Sequence, residues 1–211
     1  GINRVTNILI LNMKKSLLSI LSLFITLTMM SCSDEEPKTE IPGDDINTEV
    51  PGNLKILVAY FSWGGTTQRM AQQIQQATGA DLFRIVPVVP YPTEYTPCTQ
   101  VAREEKDSNA RPAIKDRVTD WDKYDVVFIG CPVWWWTTPM IIHTFCESYN
   151  FKGKTVIPFC TYAATYRDET LAEIVNSTPD AAHLQGLGLT SGQINQSAIN
   201  SWSVSYTHLR A

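Results

Sequence analysis

The stretch KILVAYFSWGGTTQRMAQQI, from Lys55 to Ile74, decides the fold. Ile56, Leu57, Val58 and Ala59 form a near-continuous apolar run, the pattern of a parallel strand covered on both faces. The chain then passes through Ser62, Trp63, Gly64, Gly65, Thr66 and Thr67 into a helix whose stripe of Met70, Ile74 and Ala77 turns inward, with Gly79 ending it. A helix N-terminus exposes unpaired N–H groups and the positive end of the dipole, so this turn of glycines and hydroxyls reads as a phosphate cradle. No lysine or arginine sits in it. Neutral donors suit the phosphate of a tightly held cofactor, whereas a triphosphate calls for the Walker lysine that is missing.

Outward from that turn, strand and helix signals alternate, which predicts an α/β fold with a parallel sheet. A second strand is expected over Leu82 to Val86. VVPYPTEYTP, residues 88–97, is too rich in proline for regular structure and reads as a surface crossing, with a polar helix expected over 99–108. The third strand is expected over Val126 to Gly130. Thr138 and Pro139 read as the cap and first residue of the next helix, and the fourth strand runs from Thr155 to Cys160. Asp168 reads as the cap of a helix carrying Leu171, Ile174 and Val175. A fifth strand is expected within His183 to Leu189, and Gln193 to Trp202 begins a final helix.

Charge is unevenly spread. Residues 1–31 hold three basic residues and no acid, residues 32–53 hold seven acids and one lysine, and from Leu54 onward 13 basic residues face 14 acidic ones. A nearly neutral domain has no basic face to match a nucleic acid backbone, so that partner is excluded. Met13, Lys14 and Lys15 followed by SLLSILSLFITLTMMSC read as an export signal over 13–31. Its end, Met29 to Cys32, resembles a lipoprotein signal, which implies cleavage before Cys32, acylation of that cysteine and a place at the bacterial envelope. Residues 1–12 are then upstream translation from a wrong start. The acidic, Pro- and Gly-containing segment 32–53 reads as a disordered tether. SVSYTHLRA, residues 203–211, loses the amphipathic pattern and resembles a translated adapter, which leaves the final helix truncated.

In an open parallel sheet, ligands bind beyond the carboxyl ends of the strands. Three loops meet that condition: the phosphate turn, GCPVWWWTTP from Gly130 to Pro139, and FCTYAATYRDE after the fourth strand. Three consecutive tryptophans cannot all face one core, so at least one ring is free to cover a flat ligand.

AYFSWGGTT, YDVVFIGCPVWWWTTP and IPFCTYA together resemble the flavodoxin-like family of FMN proteins, over roughly Leu54 to Trp202. The resemblance implies a three-layer α/β sandwich with a five-stranded parallel sheet in the order 2-1-3-4-5 and FMN at its carboxyl edge. It places Ser62, Gly65 and Thr67, with their neighbours Trp63, Gly64 and Thr66, at the phosphate. Pro132, Val133, Trp134, Trp135, Trp136 and Thr137 lie beside the isoalloxazine, and Thr161 and Tyr162 close its other side. Several residues depart from the family pattern: Gly64 replaces a hydroxyl residue, Thr66 an Asn, Trp136 a Gly, and Ala163 and Ala164 glycines.

The chemistry implied is the cofactor's own, and no catalytic acid, base or metal site is assigned. His143 and His183 read as packed residues. Cys131 and Cys160 end neighbouring strands and read as two buried thiols rather than a disulfide. The leading expectation is an oxidoreductase acting on a small acceptor such as a quinone at the envelope, fed by NAD(P)H or a protein donor. A one-electron flavodoxin is the first alternative, disfavoured by the neutral charge. The second is a flavin-free, lipid-anchored binding module built on Trp134, Trp135 and Trp136.

Overall fold

A computed structural model describes residues 54–204 and 206. The expected leader, Cys32 and the tether fall in 1–53, outside the described residues, as do 205 and 207–211. The elements run β1 (Ile56–Tyr60), α1 (Thr66–Thr78), β2 (Asp81–Arg84), α2 (Tyr95–Asp107), β3 (Val126–Pro132), α3 (Met140–Glu147), β4 (Thr155–Thr161), α4 (Arg167–Asn176), β5 (Ala182–His183), β6 (Leu187–Leu189) and α5 (Gln196–Val204). All ladders are parallel, in the order β2-β1-β3-β4-β5, with β6 also paired to β4.

Alternation along each strand builds two cores. Leu57, Ala59, Val127, Ile129 and Cys131 point to one face and pack with Ile141, Ile142 and Phe145 of α3, Cys98 of α2, and Ile174 of α4. Val58, Tyr60, Val126 and Phe128 point to the other, against Met70 and Ile74 of α1 and Ile199 of α5. Each fully buried large side chain contributes about 1.5–3 kcal/mol over its exposed state, which is why apolar runs rather than half-polar strands form the sheet centre.

The fifth sheet position is one strand in two pieces. β5 pairs with Thr155 and Val156, and β6 with Phe159 to Thr161. Leu184 N–H donates to Val156 O at 3.2 Å, so the even-numbered peptide groups of β4 face this edge. Pro158 is one of them and has no N–H, and the ladder breaks opposite it.

Several element ends depart from the sequence reading. α2 begins at Tyr95, inside the segment read as irregular, because Pro97 falls in a first turn whose N–H groups have no intrahelical partner anyway. Pro139, not Thr138, is the cap residue of α3, and the Thr138 hydroxyl bonds His143 Nε2 at 3.2 Å instead. Tyr166, at φ 63°, precedes α4, and Asp168 lies in the first turn paired with Arg167 at 2.8 Å. The final helix spans Gln196–Val204, and the Tyr206 ring packs edge-on to Trp202 with centroids 5.3 Å apart.

Candidate functional site

Past Tyr60 the chain turns over the carboxyl edge of the sheet, held to β3 by Phe61 N–H donating to Gly130 O at 2.9 Å. Ser62 is 4 % exposed, yet its Oγ has no hydrogen-bond partner among the described residues. Gly65 caps α1 at φ 85°, a conformation that glycine adopts without a Cβ clash. No side chain caps the helix and no acid lies in its first turn. A Cβ added at Gly64 or Gly65 would meet nothing within 4 Å, so the space over the turn is open. An orphaned buried hydroxyl, uncapped helix donors and open room together fit a phosphate group.

Two further loops close on this turn. Thr67 Oγ1, on α1, lies 2.7 Å from Thr161 Oγ1 at the end of β4, and both residues are buried. Val133 N–H donates to Thr161 O at 2.9 Å, and Tyr162 N–H to Leu189 O at 3.2 Å. Pro132 ends β3 and carries the chain into the tryptophan loop. There Trp134 and Thr137 exchange both backbone hydrogen bonds, at 2.9 and 3.1 Å, around Trp135 at φ 46° and Trp136 at φ 72°. Positive φ at both central residues is the requirement of a two-residue type I′ turn, a position usually held by Asn-Gly.

That turn sends the three indoles in different directions. Trp134 packs edge-on against Phe61 and Tyr91, with centroids 5.2 and 5.0 Å away. Trp135 donates its Nε1–H to Thr99 O at 2.8 Å and lies beneath the Arg103 guanidinium. Trp136 is 55 % exposed and faces Tyr166, centroids 6.1 Å apart and planes tilted by 44°.

A cavity of about 720 Å³ opens here. Of the residues singled out from sequence, Trp63, Val133, Trp134, Trp135 and Trp136 line it; Ser62, Gly64, Gly65, Thr66, Thr67, Pro132, Thr137, Thr161 and Tyr162 do not. Trp63 joins the two groups, its Nε1–H donating to Pro92 O at 2.9 Å. No charged side chain lines the cavity, which suits a flat, largely apolar ligand body with a polar end.

Sequence reasoning missed one entire wall. Tyr95, Cys98, Thr99 and Ala102 of α2 line the cavity at spacing i, i+3, i+4, i+7. That stripe was visible in the sequence, but only to a reading that started the helix at Tyr95. It also missed Arg84, the last residue of β2, whose Nη2 donates to Ser62 O at 3.2 Å.

Burial acts on the thiols and on the carboxyl group near the cavity. Burial pushes the Cys98 thiol up, with the Glu105 charge adding to it, and burial raises Glu105 itself against the opposing hydrogen bond from Tyr91 Oη at 2.7 Å. Cys131 and Cys160 are register partners on β3 and β4, and with Cys98 and Cys146 the four cysteines among the described residues are buried and free. Burial pushes Cys160 up to about 12 and Cys131 well above its ordinary value. His183 Nε2 lies 3.0 Å from Thr178 Oγ1, and His143 lies between α3 and α4.

Comparison with known proteins gives the same architecture. A flavodoxin family model matches residues 55–206. A candidate flavoprotein from Bacteroides eggerthii DSM 20697 is 36% identical, with a TM-score of 0.64 over 74% of this chain and 99% of that one. Another from Bacteroides uniformis ATCC 8492 is 32% identical, with a TM-score of 0.64 over 71% and 97%. A flavoprotein from Lactobacillus acidophilus NCFM, solved in complex with FMN, shares the fold at 23% identity and a TM-score of 0.60, over 71% and 99%. No curated protein matches the chain. The order of the parallel strands, the helices on both faces and the match across residues 55–206 place this chain in the flavodoxin family.

Proposed function

We propose that the chain binds FMN and acts as an oxidoreductase on a small acceptor such as a quinone, anchored to the cell envelope through lipid on Cys32. The observation that carries the cofactor is the buried, unpartnered Ser62 Oγ beside an uncapped helix N-terminus, next to an aromatic cavity. Ser62, Thr66, Thr67 and the amides around Gly64 and Gly65 would hold the phosphate. Trp135, Trp136 and the Thr161–Tyr162 segment would flank the ring system. FMN, when bound, supplies hydride and single-electron chemistry. The chain's own part is to orient the ring against an uncharged cavity wall, while the cations of Arg103 and Lys106 stand over the Trp135 and Trp136 rings.

The α2 wall supports an enzyme over a pure electron carrier. It gives the cavity a side that belongs to none of the three cofactor loops, as a second small molecule would need. The anchor on Cys32 rests on the sequence of residues 13–32, and NAD(P)H or a protein donor would supply the electrons. Flavin titration of the protein tests the reading: quenching of flavin and tryptophan fluorescence at a 1:1 ratio is expected, followed by bleaching of the bound flavin on adding NADH or NADPH. A second reading, a flavin-free binding module, is favoured by one observation, the direct Trp136–Tyr166 ring contact across the cavity mouth. Absence of any flavin response would select it.

A further inference from the structure

The phosphate turn is free of lysine and arginine, but β2 brings a cation to it from outside. Arg84 pairs in register with Tyr60, the last residue of β1, so both end at the carboxyl edge of the sheet. Leu82, two residues earlier and therefore on the same face of β2, packs in the core beneath α1, so Arg84 projects on the α1 side. Its Nη2 donates to Ser62 O at 3.2 Å. Ser62 thus accepts from Arg84 through its carbonyl while its own Oγ finds no partner among the described residues, so the guanidinium bonds the residue that carries the orphaned hydroxyl.

No carboxylate among the described residues pairs with this charge. Among the described residues Arg84 forms no ion pair, whereas Arg103, Arg111, Lys123 and Arg167 each have a carboxylate. A guanidinium has five N–H donors, and the Ser62 carbonyl takes one. Arg69, the other arginine near this helix start, is turned away: its Nη2 donates to Ser191 O at 2.6 Å and to Ser191 Oγ at 3.2 Å.

We propose that Arg84 is a phosphate-binding residue of the cofactor site, supplying the positive charge that the turn itself lacks. The inference rests on the FMN reading and goes beyond it by assigning a role to a strand residue outside the three cofactor loops. Arg84 contributes charge-assisted hydrogen bonds to a dianionic phosphomonoester, offsetting the loss of a hydroxyl at Gly64. It therefore discriminates FMN from riboflavin, which has the same ring and no phosphate.

The test measures Kd for FMN and for riboflavin over a range of salt concentrations, in the wild type and in R84Q, R84K and R69Q. Losing charge-assisted bonds makes R84Q about tenfold weaker for FMN at low salt, with the gap closing as salt rises. Riboflavin affinity stays within about twofold, R84K recovers part of the loss, and R69Q costs less than about threefold. Equal losses for FMN and riboflavin would mean that Arg84 only orders the turn through the Ser62 carbonyl, and the proposal fails. It fails equally if R69Q matches R84Q, or if R84Q binds FMN like the wild type. A wild type that binds neither flavin overturns the cofactor reading itself, and this inference with it.

Discussion

Thr67 and Thr161, 94 residues apart, share a buried hydroxyl–hydroxyl hydrogen bond of 2.7 Å. It ties the first turn of α1 to the end of β4, so the phosphate turn and the loop on the far side of β3 move as one piece. Each hydroxyl has one hydrogen, and whichever residue donates, the second hydrogen is left to offer elsewhere. T67V should cost about 1–3 kcal/mol, because it leaves the Thr161 hydroxyl buried and unpaired. T67V/T161V removes both groups and should recover part of that loss, which urea unfolding in a double-mutant cycle measures. Strict additivity would show that the pair is not coupled.

Ser62 gives a prediction of opposite sign for stability and binding. S62A removes a buried hydroxyl that no described residue satisfies, so the flavin-free protein should be unchanged or more stable by about 1 kcal/mol. FMN affinity should fall about tenfold, since the lost group is a ligand donor. Chemical denaturation and flavin titration on the same preparations separate the two effects. A destabilised variant with unaltered affinity would make Ser62 a structural residue.

Trp136 stands at φ 72°, where a residue with a bulky side chain is strained. Replacing it by glycine relieves that strain, and after allowing for the greater backbone entropy of glycine, W136G should raise unfolding stability by about 0.5–1 kcal/mol. The indole is 55 % exposed, so little apolar burial is lost. A lower melting temperature in W136G would show that the contact with Tyr166 outweighs the backbone strain.

His143 makes stability depend on pH. Ser177 Oγ gives its hydrogen to Glu173 O at 2.8 Å, so it accepts from Nδ1–H at 3.2 Å, and Nε2 accepts from Thr138 at 3.2 Å. This arrangement holds the neutral ring, and burial lowers its pKa below the ordinary 6.5, against the raising effect of Glu173 at 3.7 Å. Arg111 adds to the lowering, and Glu147 opposes it. Between the folded and unfolded pKa values the unfolded chain binds more protons, so stability is complete above pH 6.5 and falls as pH drops through the folded value. Urea midpoints should decline from neutral pH into the acid range, and H143Q should flatten that decline.

The buried thiols should be inert. Cys98, Cys131, Cys146 and Cys160 are each at most 3 % exposed and held protonated by burial, so none should react rapidly with a thiol reagent in the native state. All four should react on unfolding. Reactivity that rises only after adding reductant would reveal a disulfide.

The amino-acid sequence by itself determined what depends on local periodicity and backbone chemistry: the apolar strands, the turn through Gly64 and Gly65 into α1, Gly79 as the stop of α1, and the strand order implied by the family motifs. Thr138 and Asp168, read as caps, stand one residue before and two residues after the observed ones, because local side-chain bonds to His143 and Arg167 compete with capping. The α2 wall was hidden by prolines that a first helical turn accepts. Only the tertiary structure decided which tryptophan anchors, which is pinned and which is free, because a turn with two positive φ values sends adjacent side chains to unrelated surroundings. It also decided that Arg84 meets Ser62, since strand register, a property of the sheet and not of either segment, brings together residues 22 positions apart.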